Sequence, residues 1–182
     1  MAEPCYAFDS RCAAADLGRA LFDFVGGGKR PPVFLCIGSD RITGDCLGPL
    51  TGHLLTAGYS VGAYVYGTLA NPVTAKNLAE TADFIVTRHR SQKLVVVDAS
   101  LGRPEDIGLI RLGAGGIEPG SAVDKKLPVV GDFHITAVVN AVSVNHVLLQ
   151  STRLSLIFRI SEVIASAVKN CLILCRDATL AV

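Results

Sequence analysis

Two aspartates that each follow an apolar run are the side chains of this sequence best suited to chemistry. Asp45 lies in a glycine-containing turn that follows the apolar residues 33–37, and Asp98 directly follows the apolar residues 94–97. In parallel α/β sheets, functional residues gather beyond the carboxyl ends of the strands. Two carboxylates delivered there by separate strands can share a proton, bind a metal or activate water. A hydrolytic or metal-dependent site is therefore the first hypothesis.

Each aspartate also has a structural interpretation. Asp45 precedes an apolar-periodic stretch, and Asp is among the best residues for the N-cap of a helix. Asp98 follows three consecutive valines, where an acid is costly unless it is exposed or paired. The site hypothesis therefore depends on the two aspartates together and not on either one alone.

Three further polar residues are candidates for supporting this pair. Asp40 shares the turn with Asp45 and is either a third acid or an Asx-turn residue. Asp132 is either a site residue or the N-cap of a helix predicted just after it. His134 is a candidate third ligand of a metal site formed with Asp45 and Asp98, although an isolated histidine is more often a surface or capping group.

Other catalytic and nucleotide-binding patterns are incomplete. The turn 38–48 lacks the Gly-x-Gly-x-x-Gly spacing, and no Gly-Lys-Ser/Thr follows it. Its two acids, Asp40 and Asp45, would also repel a phosphate. Ser100 and Cys46 are nucleophiles in residue type only, because the sequence pairs no base with either.

The composition excludes several classes of protein. The 182 residues carry a formal net charge of +1 with dispersed acids and bases, which predicts neither a nucleic-acid nor a membrane partner. The six cysteines are irregularly spaced and include no Cys-x-x-Cys pair, which favours reduced thiols. Charges within the first apolar stretch argue against a secretory signal, and those within 154–175 suit an amphipathic helix. We expect a cytoplasmic protein.

Hydrophobic periodicity predicts the elements that position the candidate residues. Half of the chain is apolar and few residues are aromatic, which favours parallel strands of Val, Ile and Leu covered by helices. Helices are predicted for 12–25, 45–57, 74–88, 135–149 and 153–175. Strands are predicted for 33–37, 59–66, 93–98 and 106–112, and an irregular excursion for 113–130. This alternation predicts one α/β domain over 1–182, a three-layer α/β/α sandwich with a mostly parallel central sheet.

At these residues the sequence resembles the sporulation protein YyaC family. Five ordered blocks within 33–168 carry the resemblance: 36–49, 65–69, 97–102, 127–132 and 149–154. The family is in turn similar to the germination protease of spore-forming bacteria, an aspartate-dependent peptidase. Both resemble the hydrogenase maturation endopeptidases, which implies a phosphorylase/hydrolase-like α/β/α fold.

The resemblance gives a role to two positions. Segment 43–49 resembles the germination-protease stretch that contains one of its two essential acids, and that acid falls on Asp45. Segment 97–101 resembles its strand-end Asp-Ala-Leu segment, which places the other acid on Asp98. In the hydrogenase-maturing enzymes the same two positions hold acidic nickel ligands, with a histidine as the third. YyaC-type sequences usually carry a small polar residue where His134 stands.

The leading hypothesis is a sporulation-associated, aspartate-dependent endopeptidase that needs no cofactor. One of Asp45 and Asp98 would stay protonated as the general acid, and the other would be ionised and activate water. Which residue plays which role stays open, because such a pair titrates as a unit. Asp40, Asp132 and His134 would support the site.

Two other hypotheses remain open. In one, Asp45, Asp98 and His134 bind nickel or zinc in a maturation-protease-like protein. In the other, the protein is a non-catalytic interaction protein of sporulation. The resemblance implies a protein substrate such as a small acid-soluble spore protein, and a location in the forespore or spore core. The high apolar fraction makes a homo-oligomer a further expectation.

Overall fold

The computed structural model describes residues 3–27, 30–59, 61–118, 129–142 and 149–180. Six strands form one sheet: β1 (Cys5–Ala7), β2 (Val33–Cys36), β3 (Val65–Tyr66), β4 (Leu94–Gly102), β5 (Leu109–Ala114) and β6 (Phe133–Ala141). Their order is β1-β5-β6-β4-β2-β3. The pairs β6–β4, β4–β2 and β2–β3 are parallel, whereas β1–β5 and β5–β6 are antiparallel. The fold is therefore α/β with a mixed sheet.

The described residues form four α-helices: α1 (Ala13–Phe24), α2 (Leu47–His53), α3 (Leu78–Arg88) and α4 (Leu154–Leu180). A 3₁₀ turn, Thr43–Cys46, leads into α2, and a π-helical turn, Leu54–Gly58, extends it. The helices predicted for 12–25, 45–57, 74–88 and 153–175 are confirmed in type. None of the described helices combines the length and the apolar character that crossing a bilayer requires.

Strand β2 is buried along its whole length, and its side chains alternate between two apolar clusters. Phe34 and Cys36 belong to a cluster that includes side chains from α1, α2 and α4. Val33 and Leu35 belong to a second cluster, which includes side chains from α3. Full burial of one such aliphatic or aromatic side chain contributes about 1.5–3 kcal/mol. The two clusters hold β2, and with it the turn that follows, in a fixed position.

The helix predicted for 135–149 is wrong. Residues Phe133–Ala141 form strand β6, which pairs in parallel with β4, and 143–148 lie outside the described residues. The segment is rich in β-branched residues, namely Ile135, Thr136, Val138 and Val139. Such residues lose side-chain freedom in a helix and pack well on a pleated surface. A continuous apolar run is compatible with either element, and here burial beside β4 favours the strand.

The remaining differences concern the limits of strands. The strand predicted for 59–66 is present only as the short β3, whereas the one predicted for 93–98 continues as β4 to Gly102. Strand β1 was not predicted, and its antiparallel pairing with β5 extends the sheet. The excursion predicted for 113–130 falls partly outside the described residues, since 119–128 are not described.

Candidate active site

Asp45 lies in the 3₁₀ turn between β2 and α2, and two glycines allow this turn to pack closely against the end of β2. Gly38 has a φ of +141°, and a Cβ at this position would collide with the carbonyl oxygen of Asp45. A Cβ on Gly48 would likewise collide with the carbonyl oxygen of Ile37. Because only glycine has no Cβ, these two positions fix how closely the Asp45 turn approaches the sheet.

Asp98 lies in β4 at the point where the neighbouring strand β2 ends. The last paired residues of the two strands are Cys36 and Val97, and β4 continues beyond them. On the other side, Asp98 pairs with Thr136 of β6. The aspartate is only 7% exposed, and its Oδ1 accepts a hydrogen bond of 2.9 Å from the backbone N–H of Ala99.

Burial raises the pKa values of both carboxyl groups. Removal from water raises the pKa of Asp45 to about 6, although the backbone N–H of Ser39 lowers it. Burial, followed by the negative charge of Asp45, raises the pKa of Asp98 to about 8, although the hydrogen bond from the backbone N–H of Ala99 lowers it. Because the two carboxyl groups interact, ionisation of one disfavours ionisation of the other. The structure thus brings the two predicted aspartates into electrostatic contact.

No basic side chain within the described ranges forms an ion pair with Asp45 or Asp98. The cost of burying the carboxylates is therefore not offset by a salt bridge, and the pair retains a proton instead. Elevated and separated pKa values of this kind are typical of groups that exchange protons with a substrate.

A segment just before α4 packs against the turn that contains Asp45. A Cβ on Gly44 would lie 2.8 Å from the carbonyl oxygen of Leu149 and 2.9 Å from Thr152 Oγ1. Thr152 is buried, and its Oγ1 accepts a hydrogen bond of 3.0 Å from Asn140 Nδ2 of β6. The sequence analysis gave Asn140 no role, because it placed 135–149 in a helix. The sequence did point to Thr152, since this residue lies in 149–154, one of the five blocks that carry the resemblance to the YyaC family.

Asp40 is exposed in the turn that precedes Asp45. Burial, followed by the charges of Asp40 and Asp45, raises the pKa of the Cys46 thiol. The nucleophilic form of cysteine is the thiolate, so the two acids disfavour Cys46 as a nucleophile. Asp40 therefore contributes negative charge beside the site.

Asp132 lies at the opposite end of β4 from Asp98, so its prediction as a residue that supports the site is wrong. Its Oδ2 accepts a hydrogen bond of 2.9 Å from the backbone N–H of Leu94, and its Oδ1 one of 3.0 Å from Lys93 Nζ. Leu94 begins the strand four residues before Asp98, about 13 Å away at 3.3 Å per residue. Partial burial raises the pKa of Asp132, but these partners bring it below its ordinary value. The alternative helix-cap role is also wrong, because a strand follows.

His134 lies in β6 beside Val96, on the Asp132 side of Asp98. Its Nδ1 hydrogen-bonds the carbonyl oxygen of Gly115 at 3.1 Å, and its Nε2 lies 3.3 Å from Glu3 Oε1. Within the part of the chain that the structure describes, no three His, Cys, Asp or Glu side chains are grouped so that they could hold a metal ion. Asp45, Asp98 and His134 therefore do not form the predicted metal triad.

Comparison with known proteins shows the family. Residues 6–167 match the model of a family described as "Protein of unknown function (DUF1256)". The chain belongs to this family. It is also 42% identical over 137 residues to the "Uncharacterized protein YyaC" of Bacillus subtilis (strain 168), an alignment that covers 75% of this chain and 67% of the relative. These matches confirm the resemblance to the YyaC family, and the DUF1256 match includes both Asp45 and Asp98.

In this DUF1256 domain, the arrangement of Asp45 and Asp98 suits general acid–base chemistry. Near neutral pH the more exposed Asp45 is ionised and can accept a proton, whereas the buried Asp98 retains its proton and can donate it. Two acids with environments that separate their pKa values are a recurrent basis for acid and base assignments.

Proposed function

We propose that the protein is a sporulation-associated, aspartate-dependent endopeptidase related to the germination protease. The observation that carries this proposal is that two neighbouring carboxyl groups lie where β2 ends and form no ion pair with a described basic side chain. Their burial raises the pKa to about 6 for Asp45 and to about 8 for Asp98. Between these values the pair holds one proton, which is the state that activates water and polarises a carbonyl in the same step. Within the proposal, Asp45 is the base because it is the more exposed of the two, and Asp98 is the acid because it is buried.

In this mechanism the Asp45 carboxylate removes a proton from water as the water oxygen attacks the peptide carbonyl carbon. Asp98 donates its proton to the carbonyl oxygen, which gives a neutral gem-diol. Asp45 then transfers the proton to the amide nitrogen, one diol hydroxyl returns a proton to Asp98, and the C–N bond breaks. The products are a carboxylic acid and an amine, and both aspartates regain their starting states.

The proposal extends to the layered architecture, the substrate and the cellular location. Helices α1, α2 and α4 share one apolar cluster with the sheet and α3 shares the other, which supports a three-layer, phosphorylase/hydrolase-like sandwich. We propose a protein substrate of the small acid-soluble spore type and a cytoplasmic location in the forespore or spore core.

The test is cleavage by the purified protein of a small acid-soluble spore protein and of a peptide library made from a digested proteome, with products identified by mass spectrometry. Asp45→Asn and Asp98→Asn are compared with Asp132→Asn, which changes an aspartate at the other end of β4. The proposal expects cleavage by the unaltered protein and by Asp132→Asn, and none by the other two variants. Cleavage that a chelator abolishes, or that survives Asp98→Asn, would contradict it.

A further inference from the structure

Strand β3 forms an edge of the sheet and leaves backbone groups unpaired. It is last in the strand order and, among the described residues, pairs only with β2. The carbonyl oxygen of Tyr64 accepts a hydrogen bond of 2.9 Å from the N–H of Phe34 in β2. Because the backbone groups of successive residues in a strand alternate in direction, the N–H and C=O of Val65 point away from β2. Neither group has a partner within the part of the chain that the structure describes.

An exposed aromatic patch lies beside this edge. Its two exposed rings belong to Tyr64 and Phe84, each 55% exposed. The ring of Tyr64 lies 4.4 Å from that of His89, and the ring of Phe84 packs edge-on against Tyr66 at 6.1 Å. The hydroxyl of Tyr66 forms a hydrogen bond of 2.8 Å with His89 Nε2. The inner pair thus supports both exposed rings next to the unpaired backbone groups of Val65.

The size of this surface decides which kind of partner it fits. Complete burial of an aromatic side chain removes about 150–250 Å² from water, so the exposed parts of Tyr64 and Phe84 together offer about 200 Å². A stable complex of two folded proteins buries about 800 Å² on each partner. The edge is therefore too small for a second copy of this chain. It suits one extended segment, which gains main-chain hydrogen bonds from a strand edge.

The position of β3 relates this edge to the two aspartates. Strands β3, β2 and β4 are neighbours and run parallel, so their carboxyl ends lie at the same end of the sheet. A segment outside β3 is separated from β4 by three strand spacings of about 4.8 Å, or about 14 Å in total. Four or five extended residues cover this distance at about 3.3 Å per residue. A polypeptide bound at β3 can therefore reach Asp45 and Asp98 with residues a few positions along its chain.

We propose that the β3 edge binds an extended segment of the polypeptide substrate, which joins the sheet as a seventh strand. This inference deepens the proposed peptidase function, on which the identity of the segment as substrate rests. The segment exchanges main-chain hydrogen bonds with Val65, and its apolar side chains at alternate positions pack on Tyr64 and Phe84. The substrate class is therefore a chain that is unfolded, or that exposes an extended segment with apolar residues at every second position.

The experiment measures binding of a fluorescein-labelled peptide of alternating Val and Thr residues by fluorescence anisotropy. Val65→Pro removes the outward N–H of the edge, and the double variant Tyr64→Ser/Phe84→Ser removes the exposed rings. We expect the Kd to rise about tenfold in each. The double variant changes exposed side chains only, so it provides the answer if Val65→Pro does not fold.

Ala7→Pro is the matched control, because β1 forms the opposite edge of the sheet. The N–H of Phe8 donates to the carbonyl oxygen of Gly108 just before β5, so the N–H of Ala7 points away from β5. Proline at position 7 removes the same kind of outward backbone donor and leaves β3 unchanged. The Kd of this variant should stay within about twofold of that of the unaltered protein.

The outcomes separate binding from cleavage. Absence of binding by the unaltered protein, an unchanged Kd in both β3 variants, or equal weakening in Ala7→Pro overturns the role of the β3 edge while the aspartate mechanism stands. A dimer in sedimentation velocity that Val65→Pro dissociates also overturns it, since a second copy would occupy the edge. Weaker binding in the two β3 variants alone, with no cleavage of any substrate, supports peptide binding at the edge and overturns the peptidase function.

Discussion

The two ends of strand β4 place aspartates in opposite environments. At the beginning of the strand, Asp132 is 38% exposed in its side chain and accepts hydrogen bonds from Lys93 and from the backbone of Leu94. Where β2 ends, Asp98 is buried and faces the negative charge of Asp45. The pKa of Asp132 is lowered, whereas that of Asp98 is raised to about 8.

This difference separates a structural acid from a candidate catalytic one. Asp132 binds two positively polarised groups and stabilises the fold as a carboxylate. Asp98 is held as a neutral acid by desolvation, which costs stability wherever it must ionise. Residue type and position beside a strand are the same in both cases, so the partners of each carboxyl group decide its role.

The largest expected effect is on cleavage. Asp98→Asn and Asp45→Asn each remove a proton-transfer group, and we expect kcat/KM to fall by about 10³-fold or more. Asp132→Asn should stay within about twofold of the unaltered protein, because the amide oxygen can still accept from Leu94 N–H. The measurement is the rate of peptide cleavage for the three variants, and a similar loss in all three would remove the contrast between the two ends.

The packing of the Asp45 turn gives the next effect. Gly38→Ala should lower the free energy of unfolding by about 3 kcal/mol, since strain at positive φ adds to a collision with the Asp45 carbonyl. Gly26 also has a positive φ of +77°, but no atom lies within 4 Å of the added Cβ. Gly26→Ala should therefore cost only about 1 kcal/mol. Urea unfolding measures both, and equal losses would show that the collision is relieved at no cost.

The raised pKa of Asp98 makes stability depend on pH. Its folded pKa of about 8 exceeds the unfolded value, so its stabilising contribution is complete below about pH 4 and is lost as the pH rises towards 8. Asp98→Asn should remove this loss, so its free energy of unfolding should rise by about 4 kcal/mol relative to that of the unaltered protein from about pH 4.5 to about pH 8.5, since one pKa unit corresponds to about 1.4 kcal/mol. Urea unfolding at the two pH values tests it, and parallel changes in both proteins would contradict it.

The smallest expected effect is on the stability contributed by Asp132, whose dependence on pH is opposite to that of Asp98. Because the pKa of Asp132 is lowered, its contribution is present above the unfolded value and is lost as the pH falls through its folded value. Asp132→Ala should destabilise by about 1 kcal/mol at neutral pH and by less at about pH 3. Lys93→Met is the control. Because this lysine is an exposed partner of Asp132, its replacement should lower the free energy of unfolding by no more than about 0.5 kcal/mol. A loss that is equal at both pH values would be inconsistent with this ion pair.

Local patterns were sufficient to predict part of this molecule. The apolar run 33–37 and the valines before Asp98 correctly predicted β2 and β4, and the glycines around Asp45 correctly predicted a turn that enters a helix. These features depend on residues close in sequence. The proximity of Asp45 and Asp98 could be predicted because the carboxyl ends of parallel strands meet at one edge of a sheet.

The errors that concern 132–149 have a common physical origin in β6. A run such as 133–141 is compatible with either helix or strand, and the choice depends on pairing with β4, which lies about forty residues away in sequence. Because this segment was predicted to be a helix, a cap was considered as an alternative role for Asp132, and Asn140 was given no role. His134 could not be excluded from the site, since its partners Glu3 and Gly115 come from distant segments.

The most direct test of the account is the titration of Asp45 and Asp98 by ¹³C NMR of their carboxyl carbons, assigned with Asp45→Asn and Asp98→Asn. It needs no substrate, and Asp132 serves as an internal reference for a lowered pKa. We predict midpoints near 6 for Asp45 and near 8 for Asp98, with the midpoint of Asp98 lowered in Asp45→Asn. Midpoints below about 5 for both groups, within the ordinary range of aspartate, would show that the pair holds no proton at neutral pH and would contradict the mechanism.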